Sequence, residues 1–299
     1  MQVIESHLQS KNSPFPDDGG EDRIVVTEHY AAVIDGVTAK TNARYTKGDR
    51  TLTPGAIAAD ILAEGVIRLS PDMEAKQALE FLNKLICDAY ERYGTFEMAK
   101  EDPTERFMAT IALYNKQKRY LVMAGDCQAV FGYKHYQNNK KVDILNANAR
   151  SVELTRLMEN GELTEEVLIA MDTSQDPGRL HIMNEGANFP GLKDQSRYQN
   201  NPDTPYGYFV MDGFINFTVP GFSVHTIPED VTELVLATDG YHMPQSMDPA
   251  DVMFNLSSAE RYLNMTLIND PCCYKIYKGT KGKGSNHSFD DRAYLRISL

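Results

Sequence analysis

The sequence predicts an α+β protein in which packed antiparallel β-sheets are covered on their outer faces by helices. Short, apolar, β-prone runs come in hairpin groups, whereas a doubly wound parallel sheet would alternate strand and helix throughout. Two long amphipathic helical stretches stand together between the first group and the second. A chain of 299 residues, 42% of them hydrophobic, is also long enough to bury a sizeable core.

The elements follow in order. After the Pro/Asp/Gly-rich lead-in SPFPDDGG, residues 23–26 and 30–34 read as two strands joined through Thr27-Glu28-His29, a hairpin. A helix is predicted over about 54–69. Thr53 suits its N-cap and Pro54 its first turn, and Ile57, Ile61, Leu62, Val66 and Leu69 line one face. A second helix is predicted over about 72–93, with Leu79, Leu82, Leu85, Ile86, Ala89 and Tyr93 on its stripe and Gly94 where a C-terminal cap belongs. Residues 108–114 and 119–123 flank the polar turn NKQK as a second hairpin, with a third strand at 129–133. Two short helices are expected over 151–171, broken at Asn160-Gly161 and capped by Ser151 and Thr164. From about 172 to 206 the chain is polar and weakly periodic, which predicts a long surface excursion with local helix. Strand-like runs resume at 208–211, 215–219, 222–226 and 234–237, and the last strand spans 293–297. No internal repeat is visible.

Composition excludes several classes of function. A net charge of −12 argues against surfaces built for nucleic acid or anionic lipid, which need clustered Lys and Arg. The first residues lack the apolar stretch of a signal peptide and no run of about twenty apolar residues occurs, so a cytoplasmic address is expected. Cys87, Cys127, Cys272 and Cys273 have no CxxC spacing, so reduced thiols are expected in place of disulfides or zinc.

The chemistry is concentrated where apolar strands stop. YAAVIDG halts on Asp35-Gly36 and ELVLATDG on Asp239-Gly240; Asp290-Asp291 precedes the last strand, and Glu21-Asp22 opens the first. Any one Asp-Gly is an ordinary turn, since Asp caps local amides and Gly accepts positive φ. Several carboxylates at one rim repel one another, however, and burial raises their proton affinity unless cations sit among them. An all-oxygen donor set selects Mg2+ or Mn2+ over zinc. Two such ions roughly 3.5–4 Å apart would acidify a shared water and clamp a phosphoryl group for in-line attack.

At these places the chain resembles the protein phosphatase 2C family of metal-dependent serine/threonine phosphatases, as a divergent bacterial-type member. The order of motifs carries the resemblance: Glu21-Asp22, VIDG with Asp35-Gly36, MAGDCQAVF with Gly125-Asp126, VLATDG with Asp239-Gly240, and FDDRAYLRI with Asp290-Asp291. The resemblance implies a four-layer αββα sandwich forming a single domain over residues 1–299. It also implies two Mn2+ or Mg2+ ions, and a water between them that hydrolyses phosphomonoesters, phosphoserine or phosphothreonine in proteins above all. Asp35 would bridge both ions and Gly36 would offer a carbonyl. Asp239 and Asp290 would hold one ion, Glu21 or Asp22 would act through water on the other, and Asp126 would serve a third, weaker site. A monomeric, cytoplasmic signalling enzyme is expected, acting on a phosphorylated protein or a small phosphoester.

Departures from the family pattern are specific. Val37-Thr38-Ala39-Lys40 stands where the family has glycines and the histidine proposed as general acid; His242 and His287 lie near other motifs and could substitute. The family's phosphate-gripping arginine has no counterpart upstream of Glu21-Asp22, where Lys11 is the available base and a possible phosphate contact. The basic loop KGTKGKGSN, 278–286, reads either as a solvated loop or as one in which Lys281 or Lys283 draws a phosphorylated substrate toward the site. The alternative function is a catalytically weak or inactive phosphatase-like domain that senses phosphate or binds a partner. A haloacid dehalogenase-type phosphatase would need Asp-x-Asp, and Val33 stands where the first Asp belongs.

Overall fold

The computed structural model describes residues 1–14, 20–184, 190–242 and 247–299. Its strands are β1 (Gln2–Gln9), β2 (Arg23–Val26), β3 (Tyr30–Gly36), β4 (Tyr45–Lys47), β5 (Arg50–Leu52), β6 (Ala109–Asn115), β7 (Tyr120–Ala124), β8 (Gln128–Phe131), β9 (Lys134–Gln137), β10 (Phe222–Thr226), β11 (Glu233–Ala237) and β12 (Arg292–Ser298). Its α-helices are α1 (Pro54–Ile67), α2 (Ala75–Tyr93), α3 (Phe96–Glu101), α4 (Lys141–Glu159), α5 (Glu165–Ala170), α6 (Pro177–Asn184), α7 (Pro249–Met253) and α8 (Leu256–Asn269). No helix among the described residues is long and apolar enough to cross a membrane.

Side-chain alternation along the strands generates the layers. In β3, Tyr30, Ala32 and Ile34 pack with Ile57 and Leu62 of α1 and Leu79 and Leu82 of α2. Ala31 and Val33 face the other way and meet Leu234, Leu236, Leu295 and Ile297. Strand β11 repeats this: Leu234 and Leu236 point inward, while Val235 and Ala237 pack outward against Met253 of α7 and Ala259 and Leu263 of α8. The result is helix, sheet, sheet, helix. One sheet has the order β1-β12-β11-β8-β9 and the other β10-β7-β6-β3-β2, with β4-β5 as a separate hairpin. Both five-stranded sheets are antiparallel throughout.

Local signals account for the helix ends. Thr53 accepts from Ala56 N at the start of α1, Gly94 closes α2 in the left-handed conformation, and Thr164 caps α5. Three expectations are corrected. Ser151 is not a cap: α4 begins ten residues earlier at Lys141, and the Ser151 hydroxyl donates to Tyr274 O at 2.7 Å. Residues 208–211 and 215–219 are not strands. The first stretch makes isolated bridges, Met211 with Ala109 and Tyr208 with Gln199, because its backbone amides are spent on scattered partners, Tyr208 on Tyr198 O, Phe209 on Pro220 O and Val210 on Asn200 Oδ1, so no continuous ladder forms. The excursion over 172–206 carries α6 and a short turn of helix at Gln195–Tyr198; its residues 185–189, like 15–19 of the lead-in, lie outside the described residues.

The start of α6 is held by a buried arginine. Arg150 of α4 is wholly inaccessible; its guanidinium donates to Asp176 at 3.0 Å through Nε and to the carbonyls of Cys272 and Cys273 at 2.7 and 2.8 Å. One side chain thereby joins α4, the beginning of α6 and the segment that leads into the basic loop. Removing it strands the buried Asp176 carboxylate and takes a donor from both carbonyls. Arg150→Met is expected to lower the unfolding free energy by about 3–5 kcal/mol in urea titrations; a loss under about 1 kcal/mol would show that the clamp is not structural.

Candidate metal centre

Strand parity delivers the first ligand. Ala31 and Val33 face the space between the sheets, so Asp35 does too, at the point where β3 leaves its sheet. A Cβ on Gly36 would lie 2.7 Å from both Glu21 O and Gly55 O, so this strand end passes backbone against backbone. Asp126 arrives by a different route. Gly125-Asp126-Cys127 is the whole link between β7 in one sheet and β8 in the other. Gly125 takes φ +90° with the Thr110 side chain filling the place of a Cβ, a conformation open to glycine. Asp239 sits two residues past β11, after Thr238, whose amide donates to Ala293 O.

These three routes bring carboxylate oxygens of Asp35, Asp126 and Asp239 within 4.8 Å of one another. Burial, and then Asp239, Asp22 and Asp126, push the Asp35 carboxyl well above its usual range. Burial, then Asp126 and Asp290, push Asp239 up to about 8. No cation pairs with Asp35 or Asp239 among the described residues, and the buried Asp126 Oδ1 has no hydrogen-bond partner. A part-buried, oxygen-only cluster in which only Asp126 has an ion-pair partner among the described residues fits a hard divalent cation.

The remaining expected ligands surround this trio. Asp22 is buried behind it, accepting from the Thr238 hydroxyl at 2.7 Å, with its other oxygen unpartnered; burial and Asp291 raise its proton affinity. Glu21 accepts from the Thr53 hydroxyl, the same hydroxyl that caps α1. Asp290 faces the cleft but is claimed by Lys11 at 3.1 Å and Lys281 at 2.9 Å. Burial opposes its ionisation, yet these two ammonium groups prevail and hold the carboxyl well below the usual range. Asp291 is a staple, accepting from the amides of Lys11 and Glu21 at 2.7 and 3.1 Å and from Ser10 Oγ at 3.2 Å.

A cleft of about 430 Å³ opens over the trio, with Asp290, Lys40, Lys140, Arg179, Lys281 and His242 among its lining. Lys140 pairs with Asp126 Oδ2 at 2.7 Å. His242 is stacked on Tyr277 at 4.0 Å, and burial drives its imidazole down to about 4, so the ring is neutral near pH 7. His287 is exposed and donates its amide to Lys11 O; Lys283 is turned to Asn286 O. Lys40, Lys140 and Arg179 were not readable as cleft residues, because no local pattern marks them and only the packing of α4 and α6 brings them to this wall. The one signal was Lys40 in the place of an expected glycine-histidine motif.

No protein-family model matches the chain, and no curated protein sequence matches it. Solved structures similar to it include bacterial serine/threonine phosphatases. PstP/Ppp of Mycobacterium tuberculosis is 12% identical, with 100% of this chain and 99% of that chain covered at a TM-score of 0.45. PppA of Pseudomonas aeruginosa, described as a key regulatory component of T6SS, is 10% identical over 99% and 96% of the two chains at 0.47. Stp1 of Staphylococcus aureus is 12% identical over 100% and 96% at 0.45. A further structure of the PstP catalytic domain holds two manganese ions.

Asp239 makes stability depend on pH in a stated direction. A carboxyl that binds its proton more tightly in the folded chain stabilises the fold below its unfolded value and loses that contribution as pH rises through about 8. In EDTA, Asp239→Asn is therefore expected to raise Tm by about 2–5 °C near pH 9, with the gain vanishing toward about pH 4. A difference between the two proteins that does not vary with pH would refute the assignment.

Proposed function

We propose that this chain is a metal-dependent phosphatase that hydrolyses phosphomonoesters, with phosphoserine and phosphothreonine in proteins as its main substrates. The observation that carries this reading is the convergence of Asp35, Asp126 and Asp239, from three separate places in the chain, into one part-buried cluster with an orphaned oxygen and, among the described residues, no ion pair at two of its members. Asp35, Asp126 and Asp239 would hold Mn2+ or Mg2+, with Asp290 on the same cleft, Gly36 at the strand end, and Glu21 and Asp22 behind. Bound there, the metal supplies an acidified water and charge compensation for a phosphoryl group.

The chain's own groups complete the site. Lys140 takes one oxygen of Asp126, which leaves the other directed at the cluster, and Lys11 and Lys281 keep Asp290 ionised. Lys11 is therefore engaged in the second rank of the site. Neutral His242 cannot donate a proton near pH 7; its stack with Tyr277 excludes water from one wall. Lys40, an exposed side chain on the cleft wall whose proton affinity is lowered by partial loss of hydration and by the nearby Arg179, is the better-placed proton donor.

A second reading, a phosphate-sensing or partner-binding module with weak activity or none, is favoured by the lysines already paired with Asp126 and Asp290, which supply part of the charge a metal would bring. The two readings separate in one set of assays. The phosphatase reading expects Mn2+-dependent hydrolysis of p-nitrophenyl phosphate and phosphopeptides, abolished by EDTA. It expects kcat/KM to fall about 100-fold or more in Asp35→Asn and in Asp239→Asn. Calorimetric metal binding with no turnover of any phosphoester would support the module instead, and full activity in Asp239→Asn would remove the metal centre from the mechanism.

A further inference from the structure

Most of the cations near the cleft are already engaged. Lys140 is bound to Asp126, Lys281 and Lys11 to Asp290, and Lys278 donates to Asn148 Oδ1 at 3.3 Å. Lys40 and Arg179 differ. Both line the cleft, and neither makes an ion pair with a carboxylate among the described residues. Arg179 donates one guanidinium N–H to Thr173 O at 3.4 Å, a long bond, and its other side-chain donors make no hydrogen bond among the described residues.

The two come from distant parts of the chain. Lys40 follows β3 by four residues. Arg179 lies in the first turn of α6, where its own amide donates to Asp176 Oδ1 at 2.9 Å, the carboxylate that Arg150 clamps. Arg179 is thus mounted on a rigid, buried support. Apart from the loss of hydration, Arg179 is the strongest influence lowering the proton affinity of Lys40, so two like charges share this wall with no carboxylate ion-paired to either among the described residues. In a chain with net charge −12 that is a conspicuous omission. The charges acting most on Lys40 are Arg179, Asp143, Lys281 and Lys140; those acting most on Arg179 are Asp176, Arg150, Asp290 and Asp172. Both side chains line the cleft that opens over the acidic trio, Lys40 exposed and Arg179 half-buried on its wall.

We infer that Lys40 and Arg179 form an anion anchor beside the reaction centre, which selects substrates carrying a second anionic group, an acidic or phosphorylated side chain, next to the phosphoryl group to be cleaved. Arginine offers a planar fork that grips a carboxylate or phosphate through two parallel hydrogen bonds, and lysine adds a point charge. The anchor rests on the phosphatase reading for its neighbouring group, but its own chemistry is anion recognition.

The test uses the full chain with Mn2+ and labelled peptides in which phosphoserine is replaced by its nonhydrolysable phosphonate analogue, flanked by three Glu in one peptide and three Gln in the other. Fluorescence anisotropy is expected to show the Glu peptide bound about tenfold more tightly. In Lys40→Met/Arg179→Met the preference should shrink to within about twofold, while Arg179→Lys retains part of it and the Tm of each variant stays at the wild-type value. No preference in the wild type, or a preference that survives in the double variant, overturns the anchor. Turnover of phosphopeptides with no such preference sinks the anchor alone. The preference without Mn2+-dependent turnover sinks the phosphatase reading and leaves the anchor standing.

Discussion

Mutual repulsion among buried carboxylates is the constraint on which the rest of this molecule is arranged. Asp22, Asp35, Asp126 and Asp239 are brought together by two packed sheets; beyond burial, Asp239, Asp22 and Asp126 raise the cost of ionising Asp35, and Asp126 and Asp290 that of ionising Asp239. Such a cluster persists only where the surrounding scaffold outweighs its strain. Here that scaffold is apolar: Ala31 and Val33 ahead of Asp35, Leu234 and Leu236 ahead of Asp239, and Ala293 and Leu295 after Asp291 all lie in the seam between the sheets. The greasy strands are mounts, and the carboxylates are what they hold in place.

The chain meets this repulsion in two different ways. On one side it supplies lysines, at Asp126 and Asp290. On the other, at Asp35 and Asp239, it makes no ion pair among the described residues. Partial compensation of this kind sets the charge of the cleft between the extremes of a neutral core and a bare acidic hole. It also explains why helix α6 and the basic loop must be held so firmly by Arg150: cations placed a few ångströms out would leave the balance to solvent.

Legibility in the sequence followed the range of the interactions. Strands β3 and β11 were readable because an apolar run and the residue that stops it are adjacent, and the caps at Thr53, Gly94 and Thr164 because capping acts within one turn. Strand β1 was not, since QVIESHLQ is an edge strand whose exposed side chains break any apolar run. The first ten residues of α4, KVDILNANAR, mix polar and apolar residues without a clear stripe, so Ser151 looked like a beginning. Of the site, the carboxylates were legible as a set because repulsion demands a common explanation. That Asp126 joins Asp35 and Asp239 while Asp290 turns to lysines depends on three-dimensional placement, and so does the arrival of Lys40, Lys140 and Arg179. None of these is encoded within a window of neighbouring residues.

The three-residue link from β7 to β8 has a consequence for how the sheets move. Gly125-Asp126-Cys127 leaves no slack, and Cys127 is pinned in the seam with its Sγ 3.3 Å from Thr110 Oγ1. Any sliding of one sheet over the other must therefore pass through this link and displace Asp126 relative to Asp35, which belongs to the first sheet, and Asp239, which leaves the second. The spacing of the trio works as a vernier on the registration of the two halves: breathing of the sandwich is written directly into the geometry of its acidic cluster, and whatever binds that cluster locks the halves together.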